Sequence, residues 1–146
     1  MRGKAITGLL IVSVALSGAG CTPGTADQPP LEETGWVLSA YGEPGEMKLA
    51  TNHPLVTLSF EEDEVRGSAG CNTYSGSYTY ATGGELHITG LRHTEAYCTE
   101  EGVMEQEETF LETLCLSERY GVDARTLTIS GGGRVLILLN NCLCSD

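Results

Sequence analysis

The stretch Gly67-Ser68-Ala69-Gly70-Cys71-Asn72-Thr73-Tyr74-Ser75-Gly76 limits the folding of this chain more than any other. Its Gly70-Cys71-Asn72 centre combines two residue types that tolerate positive φ with a cysteine whose direction the turn then fixes, so it reads as a sharp corner between strands. Further on, Thr94-Glu95-Ala96-Tyr97-Cys98 brings a second cysteine to another break, just before a helical pattern. The two segments flank what reads as one two-stranded hairpin, and a hairpin brings its ends together.

Around that corner the periodicity is mostly two. Trp36-Val37-Leu38-Ser39-Ala40-Tyr41 opens the domain, with Trp36 as a core anchor, and runs into the turn residues Gly42-Glu43-Pro44-Gly45. Val56, Leu58 and Phe60 alternate with Thr57 and Ser59, as a half-buried strand requires. Glu61-Glu62-Asp63-Glu64 lacks the spaced ligands and internal glycine of a calcium loop, so it reads as a solvated hairpin turn leading into Val65-Arg66-Gly67. Tyr74, Tyr78 and Tyr80 alternate with Ser and Thr, Gly83-Gly84 turns the chain, and Leu86 and Ile88 share a face. Helical spacing occurs once, from Gly102 to Arg119, with Val103, Met104, Glu107, Phe110, Leu111 and Leu114 on one stripe. Three more strands follow at 120–123, 126–130 and 134–139. The last is apolar on both faces and is expected to be covered on both, by the barrel interior and by the helix.

The amino-terminal part reads as an export signal. Met1-Arg2-Gly3-Lys4 is basic, and Ala5 to Leu16 is an apolar run too short for a permanent membrane span. Ser17-Gly18-Ala19-Gly20-Cys21 resembles the lipobox of bacterial lipoproteins, with Gly18 where leucine is usual. On that reading residues 1–20 are a signal peptide, and Cys21 is lipidated and becomes the mature terminus. The alternative is a plain secretory signal with Cys21 as a free thiol. Residues 21–34, rich in proline and poor in apolar side chains, form a tether, and 35–146 form one domain. The formal net charge is −12, and removing Arg2 and Lys4 leaves six basic against twenty acidic residues. Nucleic acid and anionic surfaces are therefore poor partners.

An exported chain with six cysteines is expected to form disulfides. The pair flanking the hairpin, Cys71 and Cys98, is the first expected bond, against two buried free thiols. Cys115, Cys142 and Cys144 form an odd set, from which Cys115 with Cys142 or Cys144 is the expected second bond. A nucleophilic cysteine served by His93 is the enzymatic alternative to the first bond. Zinc held by Cys115, Cys142, Cys144 and a histidine lacks the usual ligand spacing. His53, His87 and His93 show no ligand-like spacing either, so neither a metal nor another cofactor is expected.

Trp36-Val37-Leu38, Gly67 to Tyr78, Thr94 to Cys98, Glu105 to Leu114, Tyr120 and Leu127-Thr128-Ile129 together resemble the META domain (HslJ-like) family, over Gly35 to Leu139. That family's second cysteine commonly follows Met-Ala, where Ala96-Tyr97 stands here. The resemblance implies a mainly β fold, a small antiparallel barrel with one helix packed across it. It also implies an envelope location and a part in stress tolerance or antibiotic resistance, with no reaction or cofactor attached. The expected protein is thus a non-catalytic lipoprotein, anchored to the envelope membrane (the outer membrane if the cell has one), whose partner is an envelope protein or small ligand. The alternatives are a barrel that binds a small apolar molecule in its mouth, or an inhibitor that presents an acidic loop to an exported hydrolase.

Overall fold

The computed structural model describes residues 30–51 and 53–141. The expected signal peptide, Cys21, most of the tether, Cys142 and Cys144 lie outside the described residues. Among these residues the chain forms β1 (Trp36–Glu43), β2 (Glu46–Leu49), β3 (Thr57–Glu61), β4 (Glu64–Ser68), β5 (Thr73–Tyr80), β6 (Leu86–His93), α1 (Val103–Cys115), β7 (Ser117–Asp123), β8 (Thr126–Gly131) and β9 (Arg134–Asn140). All strand pairs are antiparallel, in the order β6-β5-β4-β3-β1-β9-β8-β7, with β2 added to β1. The two edges of this sheet nearly close on each other. Glu85 bridges Arg119, the Tyr120 amide donates to Gly84 O at 2.8 Å and the Ile88 amide donates to Ser117 Oγ at 3.1 Å. The expected barrel is therefore present.

Its interior is filled with side chains. Trp36, Leu58, Phe60, Leu86, Phe110, Leu114, Leu127, Ile129, Leu136 and Leu138 are essentially inaccessible to solvent, as small barrels of this strand number require. Phe60 meets Tyr78 edge-on at 4.8 Å, and Tyr74 meets Phe110 of the helix at 5.5 Å. The acidic run forms the β3–β4 turn as expected, with Glu62 and Asp63 both at positive φ.

Four elements depart from the sequence reading. β2 carried no clear pattern because all four of its residues are exposed, and it is held by its pairing with β1 and by the exposed Lys48–Glu105 ion pair to the helix. The helix stops at Cys115 rather than Arg119, since Ser117 already pairs with Gly131 and leaves no room for another turn. β9 is not covered on both sides. Leu136 and Leu138 point into the core, but Val135 and Ile137 are half-buried and Leu139 is 46% exposed, because the helix packs at the barrel end and not over the outside of β9. Lastly, packing begins before Gly35: Leu31 is buried, and its carbonyl accepts the Trp36 indole N–H at 3.3 Å.

At Gly67 two stretches of backbone approach each other closely. A Cβ there would stand 2.1 Å from Thr57 O, the same oxygen that accepts the Tyr74 hydroxyl at 2.8 Å. Gly67→Ala should therefore destabilise the fold by about 3 kcal/mol, at the upper end of overpacking costs. Gly121→Ala, which meets nothing within 4 Å, should be near neutral in the same urea titration. Equal midpoints for the two variants would refute the close-approach argument.

Two phenols give the fold a pH dependence. Burial holds Tyr74 well above the ordinary phenol range, and burial reinforced by a 2.6 Å hydrogen bond to Glu32 raises Tyr78. Both stay protonated in the folded chain while the unfolded chain releases its protons above about pH 10. Stability is thus fully present below that pH and falls as pH rises beyond it. Tyr78→Phe should lower the urea midpoint at neutral pH, yet flatten its decline between about pH 9 and about pH 11. A slope identical to wild type would contradict this assignment.

Candidate functional site

The β4–β5 corner is built from four residues, Ala69 to Asn72. Ser68 Oγ accepts the Gly70 amide at 3.2 Å, and the Ala69 amide donates to Asn72 O at 2.7 Å. Gly70 has φ 119°, a conformation that side chains disfavour. This turn leaves Cys71 facing the segment before the helix, where it is bonded to Cys98 with Cα atoms 5.8 Å apart. The expected first disulfide is thus formed, at a spacing typical of such bonds. Neither sulfur is then a thiolate, so a Cys–His93 nucleophile is not assembled here. His93 Nδ1 lies 2.7 Å from Thr94 O.

Asn72 is buried and uses its whole side-chain capacity. Its Nδ2 donates to Ala96 O at 2.9 Å and to Glu107 Oε1, while its Oδ1 accepts the Thr94 hydroxyl at 2.8 Å and the Ala96 amide at 2.7 Å. The Asn72 backbone amide adds a 2.7 Å bond to Glu107 Oε2. One side chain therefore ties the corner, the 94–96 segment and the helix together. The sequence reading singled out Asn72 for its backbone tolerance and missed this role. It placed Glu107 on the apolar stripe, and a carboxylate between Val103 and Phe110 on that stripe was the available signal that a buried partner must exist. Gln106, also buried, similarly ties the helix to Thr51, accepting its amide at 2.8 Å.

The other predicted residues are scattered. Trp36 is in the core as expected. Cys115 is an exposed free thiol at the helix end. Its expected partners Cys142 and Cys144 lie outside the described residues. His87 is exposed on the outer face of β6. Among the described residues no three His, Cys, Asp or Glu side chains are placed to hold a metal.

Concavities lie on the outside of the barrel. One, of about 580 Å³, is an open groove across β3 to β6 bounded by Ser59, Arg66, Ser75, Arg92, His93 and Thr94. Another follows the β6–β7 seam beside Tyr80 and Tyr120, whose rings meet edge-on at 5.9 Å. The acidic β3–β4 turn is at the far end of β4 from the disulfide.

Comparison with known proteins places these features in a family context. The META domain family matches residues 29–141. A protein from Burkholderia xenovorans solved by NMR superposes with a TM-score of 0.66 at 24% identity, covering 90% of this chain and 99% of its own. A DUF4847 family protein from Bacteroides vulgatus superposes at 0.55 with 14% identity, covering 76% and 94%. At these identities the solved structures speak for the fold alone. No curated protein matches the chain.

Reduction should open the corner. The disulfide closes a separation of 27 residues, which on the chain-entropy view contributes about 3.5 kcal/mol. Reductant should lower the urea midpoint of wild type accordingly, whereas Cys71→Ala/Cys98→Ala should start low and ignore reductant. Asn72→Ala, which strips the buried Glu107 carboxylate of its donor side chain, should independently cost about 3 kcal/mol. A wild-type midpoint indifferent to reductant would show that the bond does not support the fold.

Proposed function

The chain belongs to the META domain family, and we propose that within it this protein is a non-catalytic binding module of the cell envelope, anchored by a lipid on Cys21. The observation that carries this reading is the division between a filled interior and a grooved exterior. Trp36, Phe60, Phe110 and the surrounding leucines occupy the barrel space that a small apolar ligand would need. The open groove across β3 to β6 lies on the outer face, beside a corner braced by the Cys71–Cys98 disulfide and by Asn72. A rigid outer face suits recognition, because little ordering entropy is lost on binding.

The anchor is supported by the order of basic start, apolar run and Ala19-Gly20-Cys21. The proline-containing residues that follow would let the domain stand off the membrane, the outer membrane in a cell that has one. A partner in the envelope, bound on the outer face, would connect the module to tolerance of envelope stress or antibiotics. Nucleic acid is disfavoured as partner by the net charge of −12.

Fractionation and intact-mass measurement test the anchored part of the reading. The wild-type protein should require detergent for extraction and carry acyl mass at Cys21. Cys21→Ser should leave with the soluble exported fraction, because a residue bearing several acyl chains is what provides stable anchoring. An unmodified thiol at Cys21 in a soluble protein would sink this proposal.

A further inference from the structure

Two arginines of this acidic chain stand in one row on its outer face. Ser59 of β3 pairs with Arg66 of β4, Arg66 with Ser75 of β5, and Ser75 with Arg92 of β6. Strands lie about 4.8 Å apart, so the two arginine backbones are about 10 Å apart with the Ser75 hydroxyl between them. We propose that this row is a binding site for a phosphate group, clamped between the Arg66 and Arg92 guanidinium groups over Ser75.

Several independent features converge on it. Lys48, Arg66 and Arg134 each pair with a carboxylate, Arg119 donates to Gly83 O, and Arg125 also has a partner. Arg92 alone among the lysines and arginines of the described residues has neither a hydrogen bond nor an ion pair, which leaves all its donors open. Its place in the row depends on a bulge. The β5–β6 register shifts between Ser75 and Ser77, with an extra β6 residue near Gly90 at φ 62°, and that shift turns Arg92 outward beside Ser75. The neighbouring Gly67–Tyr74 pair lines the floor of the groove, with the Tyr74 hydroxyl directed away to Thr57 O. Thr94 on the rim donates to Asn72 Oδ1 and accepts the Thr73 amide at 3.2 Å, so the groove wall belongs to the disulfide-braced corner.

The chemistry selects phosphate over carboxylate. A planar carboxylate presents one bidentate edge to one guanidinium fork, whereas the tetrahedral oxygens of a phosphate can engage two forks from opposite sides at once. Glu61, 2.5 Å from Arg66, occupies part of one fork and leaves the rest for the ligand. The surrounding acids are screened beyond about 8 Å at physiological salt, so a single compact phosphate is attracted while an extended polyanion is repelled.

This inference rests on the outer-face reading above and names a ligand class for it. The full-length Cys21→Ser protein would be titrated calorimetrically with inorganic phosphate, with glycerol 3-phosphate, and with acetate at matched ionic strength. Its flotation with phosphatidylglycerol vesicles would be compared with phosphatidylcholine alone. Phosphate should bind saturably and acetate at least about tenfold more weakly, and Arg92→Gln should weaken phosphate at least about tenfold without moving the melting temperature. Lys48→Gln should change nothing. Flotation that Arg92→Gln abolishes would assign the phosphate to a lipid headgroup, and saturation without flotation would assign it to a soluble ligand. Absence of phosphate binding, binding that survives Arg92→Gln, or equal binding of acetate would each overturn the site. Hydrolysis of glycerol 3-phosphate would instead overturn the non-catalytic reading and leave the site standing.

Discussion

The Glu107 carboxylate is almost wholly buried in the packed face of the helix, where an unpartnered group of this kind would be strongly unfavourable. Asn72 resolves that problem by giving it both a backbone and a side-chain N–H. Because the Asn72 side chain also bonds the 94–96 segment, satisfying one carboxylate fixes three parts of the chain relative to each other. The disulfide next to it then reinforces a geometry that the hydrogen bonds already specify. Networks of this type add uniqueness as well as stability, since any shift of the helix would strand a buried polar group.

A helix fixed in this way covers one end of the barrel and contributes Phe110, Leu111 and Leu114 to its core. With the interior occupied, the open concavities lie on the outer surface. The same devices that shape the interior also shape that surface. Gly67 allows the close approach at Thr57 beneath the groove, and the bulge near Gly90 returns Leu91 to the interior while turning Arg92 out. Packing and surface chemistry are thus consequences of the same backbone irregularities.

Charge has a similar dual character. Among the described residues Lys48, Arg66 and Arg134 are paired with carboxylates, and exposed pairs such as Lys48–Glu105 contribute little to stability. Their effect is to leave the long-range field negative. Against that background the Arg66–Arg92 row is a local exception, and its influence is confined to the groove by screening.

The sequence alone determined the elements whose causes are local. Alternation placed Val56, Leu58 and Phe60 inward, turn residues marked the 61–64 and 83–84 hairpins, and the break residues around Cys71 and Cys98 located the disulfide. Tertiary structure decided what depends on partners distant along the chain. β2 forms where β1 offers it an edge, the helix ends where Ser117 meets Gly131, and Leu139 remains exposed because no described element packs over that side of β9. Asn72 and Glu107 lie 35 residues apart, and Arg66 and Arg92 are aligned only through Ser75. Periodicity reports which face a side chain occupies, but cross-strand register and buried polar pairing arise from the closed sheet as a whole, and so they become visible only once it has formed.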